Sequence, residues 1–446
     1  MAWISPKRNR ERGITILLVA VAMFTILAVA ALSVDIVTLY VARSEAQRAA
    51  DAAAVAGAKM FVISGFTSGQ LGAPDTGTVR DQVCINAAGP GGAAIANKQA
   101  EVVASLNQIA GQPASIQSIS CSFGAQGENP QITVTVQRTG LPTFFARAWG
   151  NQPSTVIAKA TAEAVNPSGP SPSVPIQVAS VKPWLIPNCD PHPSAPPGSC
   201  TPTANYFVNT ADGSLNNPSA YIGQTIPFPF SWAQQDSGAP PSNGQFYYAL
   251  SVPIDPPAAA CPASGLLGCN QIGIGPYYDN IACSSKSQFS CGQIIGAAQP
   301  VSIDTRTGTP VLQNRHAAAT QCLIHASNPL LGSGQDEFIA SGTGTPVSIT
   351  GGDNNPNPSL RDTGNISRSD SIVTVPLYDG HNMCPGGTCT ETATIIGFLQ
   401  LGITQGDPGG AVKAVILNAA GCNPGATGNP ISGGGISPIP VRLIHQ

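Results

Sequence analysis

Ile14 to Val34 reads ITILLVAVAMFTILAVAALSV, 21 residues without a charge or a proline. As a helix rising about 1.5 Å per residue, it spans roughly 31 Å, the thickness of a bilayer's hydrocarbon core. This stretch constrains the fold more than any other feature, because so apolar a segment must be buried in lipid or in protein. Lys7, Arg8, Arg10 and Arg12 precede it, against Glu11, and Asp35 follows it. By the positive-inside rule, residues 1–13 form a cytoplasmic basic segment, 14–34 a transmembrane helix, and the rest lies outside the cytoplasm. A cleavable signal peptide is the competing reading, but its apolar region usually runs only about 7–15 residues.

The helical pattern continues past the apolar run. Ile36 to Met60, IVTLYVARSEAQRAADAAAVAGAKM, is dense in alanine and has no breaker before Gly57. Alanine is the best helix former, so one rod from about residue 14 to 60 is expected, roughly 70 Å long. Its upper half carries a smooth surface of Ala46, Ala49, Ala50, Ala53, Ala54 and Ala56 that would let a sheet or another helix approach closely.

The rest of the chain is poor in charge and rich in turn formers. Only 10% of the 446 residues are Asp, Glu, Lys or Arg, and there are 48 Gly and 41 Pro. A typical soluble domain has about 25% charged residues, so a loop-rich exported body fits better than a cytosolic enzyme. The net charge of −3 offers no basic field for nucleic acid. Twelve cysteines, with no CxxC, suit structural disulfides in an oxidising compartment.

Residues 35–166 read as a first extracytoplasmic module. Helical pieces over Val79–Ala88 and Ala93–Ile109 are followed by strands at Ser115–Ser122, Gln131–Arg138 and Ser154–Val165. In QITVTVQR, Ile132, Val134 and Val136 alternate with polar residues, the mark of a strand buried on one face. Cys84 on a helix and Cys121 on a strand could clip the two together. PSGPSPSVP, residues 167–175, is a Pro/Ser linker. Residues 176–446 then form a Cys/Gly/Pro-rich, mainly β domain, with short strand candidates at Pro175–Ser180, Tyr247–Val252, Pro300–Asp304, Pro346–Thr350, Ser371–Leu377, Thr392–Leu401 and Val412–Leu417. Adjacent pairing, Cys189/Cys200, Cys261/Cys269, Cys283/Cys291 and Cys384/Cys389, is the simplest scheme and would leave Cys322 and Cys422. Sequence alone does not fix connectivity.

No catalytic, cofactor-binding or metal-ligating set stands out. His381, Cys384 and Cys389 have zinc-like spacing but lack an evident fourth ligand. Asp353-Asn354-Asn355 reads as a turn rather than a calcium loop. HExxH, P-loop and Gly-x-Ser-x-Gly patterns do not occur. The expectation is therefore a chain without a cofactor and without enzymatic activity.

The N-terminal run resembles TadG-like proteins of the TadE/TadG family in the Flp/Tad pilus assembly system. The residues carrying the likeness are Gly13 before the membrane helix, Asp35 at its far end, and Leu39, Tyr40, Ala42 and Arg43. They continue into an Ala/Asp box of Gln47, Ala49, Ala50, Asp51, Ala52, Ala53, Ala54 and Ala56. The position five residues after Gly13 is Leu18, where type IV prepilins carry Glu. The metal motif of the adhesive domain found in some relatives is missing. The expected fold is α+β: a transmembrane helix continuing into a long helix with a small antiparallel sheet, for which the resemblance implies a pilin-like plan, then the irregular, disulfide-bearing, mainly β body. The resemblance further implies a single-pass inner-membrane component of a Flp/Tad-type pilus or related secretion apparatus. Its partners would be the lipid bilayer and other pilus-assembly or pilin-like proteins, with homo- or hetero-oligomers forming through the helix. A membrane-tethered binding or adhesion module without a pilus is the alternative, and an anchored hydrolase a third reading.

Overall fold

The computed structural model describes residues 11–67, 78–90, 92–123, 129–141, 143, 145, 150, 153–165, 176–191, 200, 203–228, 248–250, 269, 276–283, 288–296, 309–327, 334–342, 345–385, 390–406, 411–423, 431–432 and 437–444. The linker at 167–175, the strand expected at Pro300–Asp304, Cys261 and Cys389 lie outside them.

Helix α1, Glu11–Ile63, is 53 residues long, about 80 Å. It stops where alanine and apolar residues give way to Ser64-Gly65. Gly65 takes φ +80°, the Phe66 amide bonds the Phe61 carbonyl at 2.8 Å, and the Gly65 amide bonds that of Val62 at 3.3 Å. Together these form a Schellman cap. A Cβ on Gly65 would lie 2.7 Å from the Leu417 carbonyl oxygen, so the site needs glycine for space as well as for φ.

The upper half of α1 lies on a sheet and on a second helix. After α2 (Thr78–Val83) and β1 (Ala87–Ala88) come α3 (Ile95–Leu106) and the two-residue strands β2 (Gln108–Ile109) and β3 (Gln112–Pro113). The long strands β4 (Ser115–Ser122), β5 (Gln131–Leu141) and β6 (Ser154–Ala164) follow. The sheet order is β1-β4-β5-β6-β20, antiparallel throughout, and β20 is Val441–Ile444 near the end of the chain. Alternation decides which face meets α1. Ile132, Val134 and Val136 of β5, with Ala158, Ala160, Ala162 and Ala164 of β6, are buried. On the other face Thr133 and Thr161 share a 2.9 Å hydroxyl hydrogen bond across the strands. Ala96, Ala100 and Ala104, spaced one turn apart, form the buried stripe of α3. Ala87–Ala88 is a strand, not the end of a helix, because its register with Ile119 and Ser118 extends the sheet edge.

The body is mainly β. Its strands are β7 (Ile176–Ala179), β8 (Trp184–Pro187), β9 (Thr225–Phe228), β10 (Tyr248–Ala249), β11 (Gln288–Ser290), β12 (Ile294–Gly296), β13 (Glu337–Ile339), β14 (Ser348–Thr350), β15 (Ile372–Tyr378), β16 (Thr392–Thr394), β17 (Gly397–Gly406), β18 (Val412–Gly421) and β19 (Ile431–Ser432). The main sheet runs β10-β8-β15-β17-β18-β9, with β8 and β15 parallel. All seven residues of β15 are buried, as a strand covered on both faces requires. The expected strand Thr392–Leu401 is two strands, since β16 pairs with β12 while β17 joins the main sheet. Two helices were not anticipated: α4 (Pro276–Ala282) and α5 (Thr309–Leu323). Leu323 of α5 shares an apolar cluster with Tyr277 and Ile281 of α4 and with Leu401 and Ile403 of the sheet.

Four disulfides join described residues: Cys84–Cys121, Cys189–Cys200, Cys269–Cys322 and Cys291–Cys422. The first clips the chain after α2 to β4, and the second is one of the adjacent pairs. Cys261/Cys269 and Cys283/Cys291 are not pairs. Cys269 bonds Cys322, next to the end of α5, and Cys291 bonds Cys422, just past β18. The fold sets these partners, at Cα separations of 4.8 and 5.3 Å, across 53 and 131 residues of sequence. Cys283 and Cys384 are disulfide-bonded as well.

Candidate functional site

The residues of the Ala/Asp box all lie on α1, which passes through two different environments. From Ile14 to Val37 the large apolar side chains are exposed, among them Leu17, Phe24, Leu27, Val34 and Val37. From Ala42 upward one face is enclosed: Ala42, Ala46, Ala49, Ala50, Ala53 and Ala54 are buried, meeting the alanines of β6, the apolar face of β5 and the alanine stripe of α3. Small side chains on both partners let helix and sheet approach closely. Gly57 continues this face, where a Cβ would come 2.6 Å from Ile132 Cδ1 and 3.4 Å from the Ala96 carbonyl oxygen.

The polar residues of the box hold the edges of this contact. The Gln47 side-chain amide donates to Asp51 Oδ1 at 2.8 Å and to the Lys159 carbonyl on β6 at 3.2 Å. Asp51 therefore takes the side-chain amide of Gln47 as a partner. Glu45 accepts from the Ala110 amide at 2.8 Å, in the turn between β2 and β3. Sequence reasoning passed over Glu45, although an acid beside the alanine stripe was its only signal. Tyr40 is 75% exposed, and Arg43 is exposed. Gly13 lies in the first turns of α1.

Asp35 is the least expected. It is only 2% exposed, and its Oδ2 accepts from the backbone amide of Phe145 at 2.9 Å. The signal in the sequence, an acid after 21 uncharged residues, marks the end of the apolar run but does not reveal this partner.

The upper end of α1 is fastened to the body. Asn418 of β18, fully buried, donates through Nδ2 to the Val62 carbonyl at 2.9 Å and to Thr67 Oγ1 at 2.8 Å.

Several buried polar groups of the body bond to one another or to the backbone. Lys182 Nζ donates to the Asn280 and Cys283 carbonyls at 3.2 and 2.7 Å, at the end of α4. Burial lowers its pKa to about 7, against the raising effect of Asp370. Trp184 Nε1 donates to His316 Nε2 at 3.1 Å, and burial lowers the His316 pKa to about 3. His325 contacts Asp370 at 3.3 Å, and this hydrogen bond is the main reason that the Asp370 pKa is lowered. Cys384 is disulfide-bonded and His381 pairs with Asp379, so the zinc-like spacing does not supply free zinc ligands. Asn354 donates to the His325 carbonyl and Asn355 to Asp336, as a structured turn would. Among the described residues no cluster of three or more His, Cys, Asp or Glu could hold a metal ion.

A single long apolar N-terminal helix, carrying a sheet on its upper half and a mainly β, disulfide-bearing body beyond, defines a chain built around a candidate membrane anchor. Residues 13–60 match the family model described as Flp pilus-assembly TadE/G-like, so the likeness is carried by the long N-terminal helix. The match covers Gly13, Asp35, Tyr40, Arg43 and the whole Ala/Asp box. No curated protein matches the chain, and no solved structure does.

Proposed function

We propose that the chain is a structural component of a Flp/Tad-type pilus or related secretion apparatus. In this reading it is held in the inner membrane by residues 14–34, with the N-terminus in the cytoplasm and the body outside. The observation that carries it is the change of environment along α1 within the matched segment. Below Asp35 large apolar side chains face outward, and above Ala42 the helix turns a stripe of alanines into its own sheet. A helix exposed on all sides over one bilayer thickness suits lipid and lateral contact with other apolar helices. Because the alanine face is occupied within the chain, partners would meet the lower helix. The pilin-like plan, one long helix with an antiparallel sheet on its outer half, supports the same role. The role is structural rather than catalytic, in keeping with the internal use of the body's buried Lys182 and His316.

Photocrosslinking in cells tests this. A benzophenone side chain in place of Leu27, which is 64% exposed, should capture another pilin-like or pilus-assembly chain. Adducts with lipid alone would count against the assembly role.

A further inference from the structure

We infer that Phe145 is a second contact with the bilayer, held at the outer lipid boundary by Asp35. The inference rests on the membrane reading of residues 14–34. Those 21 residues cover roughly 31 Å as a helix, so Asp35 stands at the outer limit of the hydrocarbon. A carboxylate there is costly unless hydrogen-bonded and shielded. Asp35 is only 2% exposed, and it accepts from the Phe145 amide at 2.9 Å. That bond holds Phe145 level with the membrane surface. Thr143 beside it is buried, as is Leu141 at the end of β5, yet the Phe145 side chain stays 44% exposed.

The level explains the exposure. Headgroup layers add about 5–8 Å on each side of the hydrocarbon core; Tyr and Trp collect there, and Phe is among the apolar side chains that interfacial segments bury at their inner edge. Tyr40, 75% exposed, lies five residues beyond Asp35, about 7.5 Å higher, within the same layer. Phe145 and Tyr40 thus bracket the headgroup region, one from the sheet module and one from the helix. Asp35 acts as a positioning residue: it ties the module to a fixed height above the lipid, and the Phe145 ring enters the boundary. The occupant of the exposed Phe145 face is phospholipid.

Full-length protein in phosphatidylethanolamine and phosphatidylglycerol vesicles provides the test, with p-benzoylphenylalanine placed singly at positions 24, 145 or 294. Illumination at position 24 should give a phospholipid adduct by mass. Position 145 should give one too, and position 294, on the exposed Ile294 of the body, should not. Asp35→Ala should lower the adduct at 145 several-fold and leave that at 24 unchanged, while Asp35→Asn, which keeps an acceptor oxygen, should largely restore it. Lipid at 24 but none at 145, or a protein adduct at 145, would overturn the proposal and leave the anchor intact. An unchanged adduct at 145 in Asp35→Ala would overturn the positioning role. No lipid adduct at 24 would remove the membrane reading and this inference with it.

Discussion

Gln47 and Asp51, one helical turn apart, share a 2.8 Å hydrogen bond, and the same Gln47 amide reaches the Lys159 carbonyl on the neighbouring strand. The acid of the Ala/Asp box therefore acts on the sheet through a neighbour. Asp51 orients Gln47, and Gln47 holds the helix edge to β6.

The box divides into residues that fill space and residues that trim its edge, and their variants should differ accordingly. Ala50→Leu or Ala53→Leu adds bulk to a closed face, which typically costs about 1–3 kcal/mol. Asp51→Asn leaves a carbonyl oxygen for Gln47 and should cost below about 1 kcal/mol. Thermal unfolding in detergent, followed by circular dichroism, should rank them in that order. Equal effects would mean that the alanine face is not packed as described.

Asn418→Ala should loosen the upper end of α1. It removes a buried side chain bonded to Val62 and Thr67, a loss of about 1–3 kcal/mol. Hydrogen exchange over residues 60–67 should quicken, while the centre of β5 stays protected. Uniform exchange in the two regions would show that Asn418 does not link helix and body locally.

The transmembrane-length helix and the alternation of β5 were legible because both are local: 21 uncharged residues, and Ile132, Val134 and Val136 spaced by two. The residues joining distant parts of the chain were not. Nothing in Val441–Ile444 announces that it completes the sheet beside Ser154–Ala164, since four residues carry no pairing information of their own. Cys269 and Cys291 have near neighbours in sequence, but the fold brings Cys322 and Cys422 to them instead. Helix Thr309–Leu323 mixes alanine with polar residues and lacks a marked apolar stripe, so periodicity did not expose it. In the candidate site, alanine spacing pointed to a close-packed face, but the link from Gln47 to the Lys159 carbonyl joins residues 112 positions apart and left no local mark.

The redox state gives a third expectation. Thiol labelling of denatured, unreduced protein should find close to no free cysteine. Non-reducing peptide mapping should recover Cys269–Cys322 and Cys291–Cys422. Replacing Cys291 and Cys422 together by Ser removes a link across 131 residues and should cost about 2–5 kcal/mol. Recovery of Cys261–Cys269 or Cys283–Cys291 peptides would contradict the body's topology.

Acid should destabilise the body through His316. Its pKa falls from 6.5 to about 3 on folding. Below pH 6.5 the unfolded chain therefore takes up a proton that the folded chain refuses, and stability declines as pH drops from 6.5 towards 3. By pH 5 the loss is about 2 kcal/mol. Lys182, with a pKa of about 7 in the fold against 10.5 outside it, acts in a separate window, where stability rises with pH between those values. Melting temperatures from pH 7 to 5 should fall in the native chain. His316→Phe should start lower, having lost the acceptor for Trp184, but show a flatter dependence over that range. An equal slope in both would rule out His316 as the titrating group.

Topology is the most direct test of the account, because one span with its basic end in the cytoplasm underlies every reading of α1. Reporters fused after Ser64, one active only outside the cytoplasm and one only inside, should give activity from the first alone. Activity from the second would put the alanine-packed module in the cytoplasm and contradict the account.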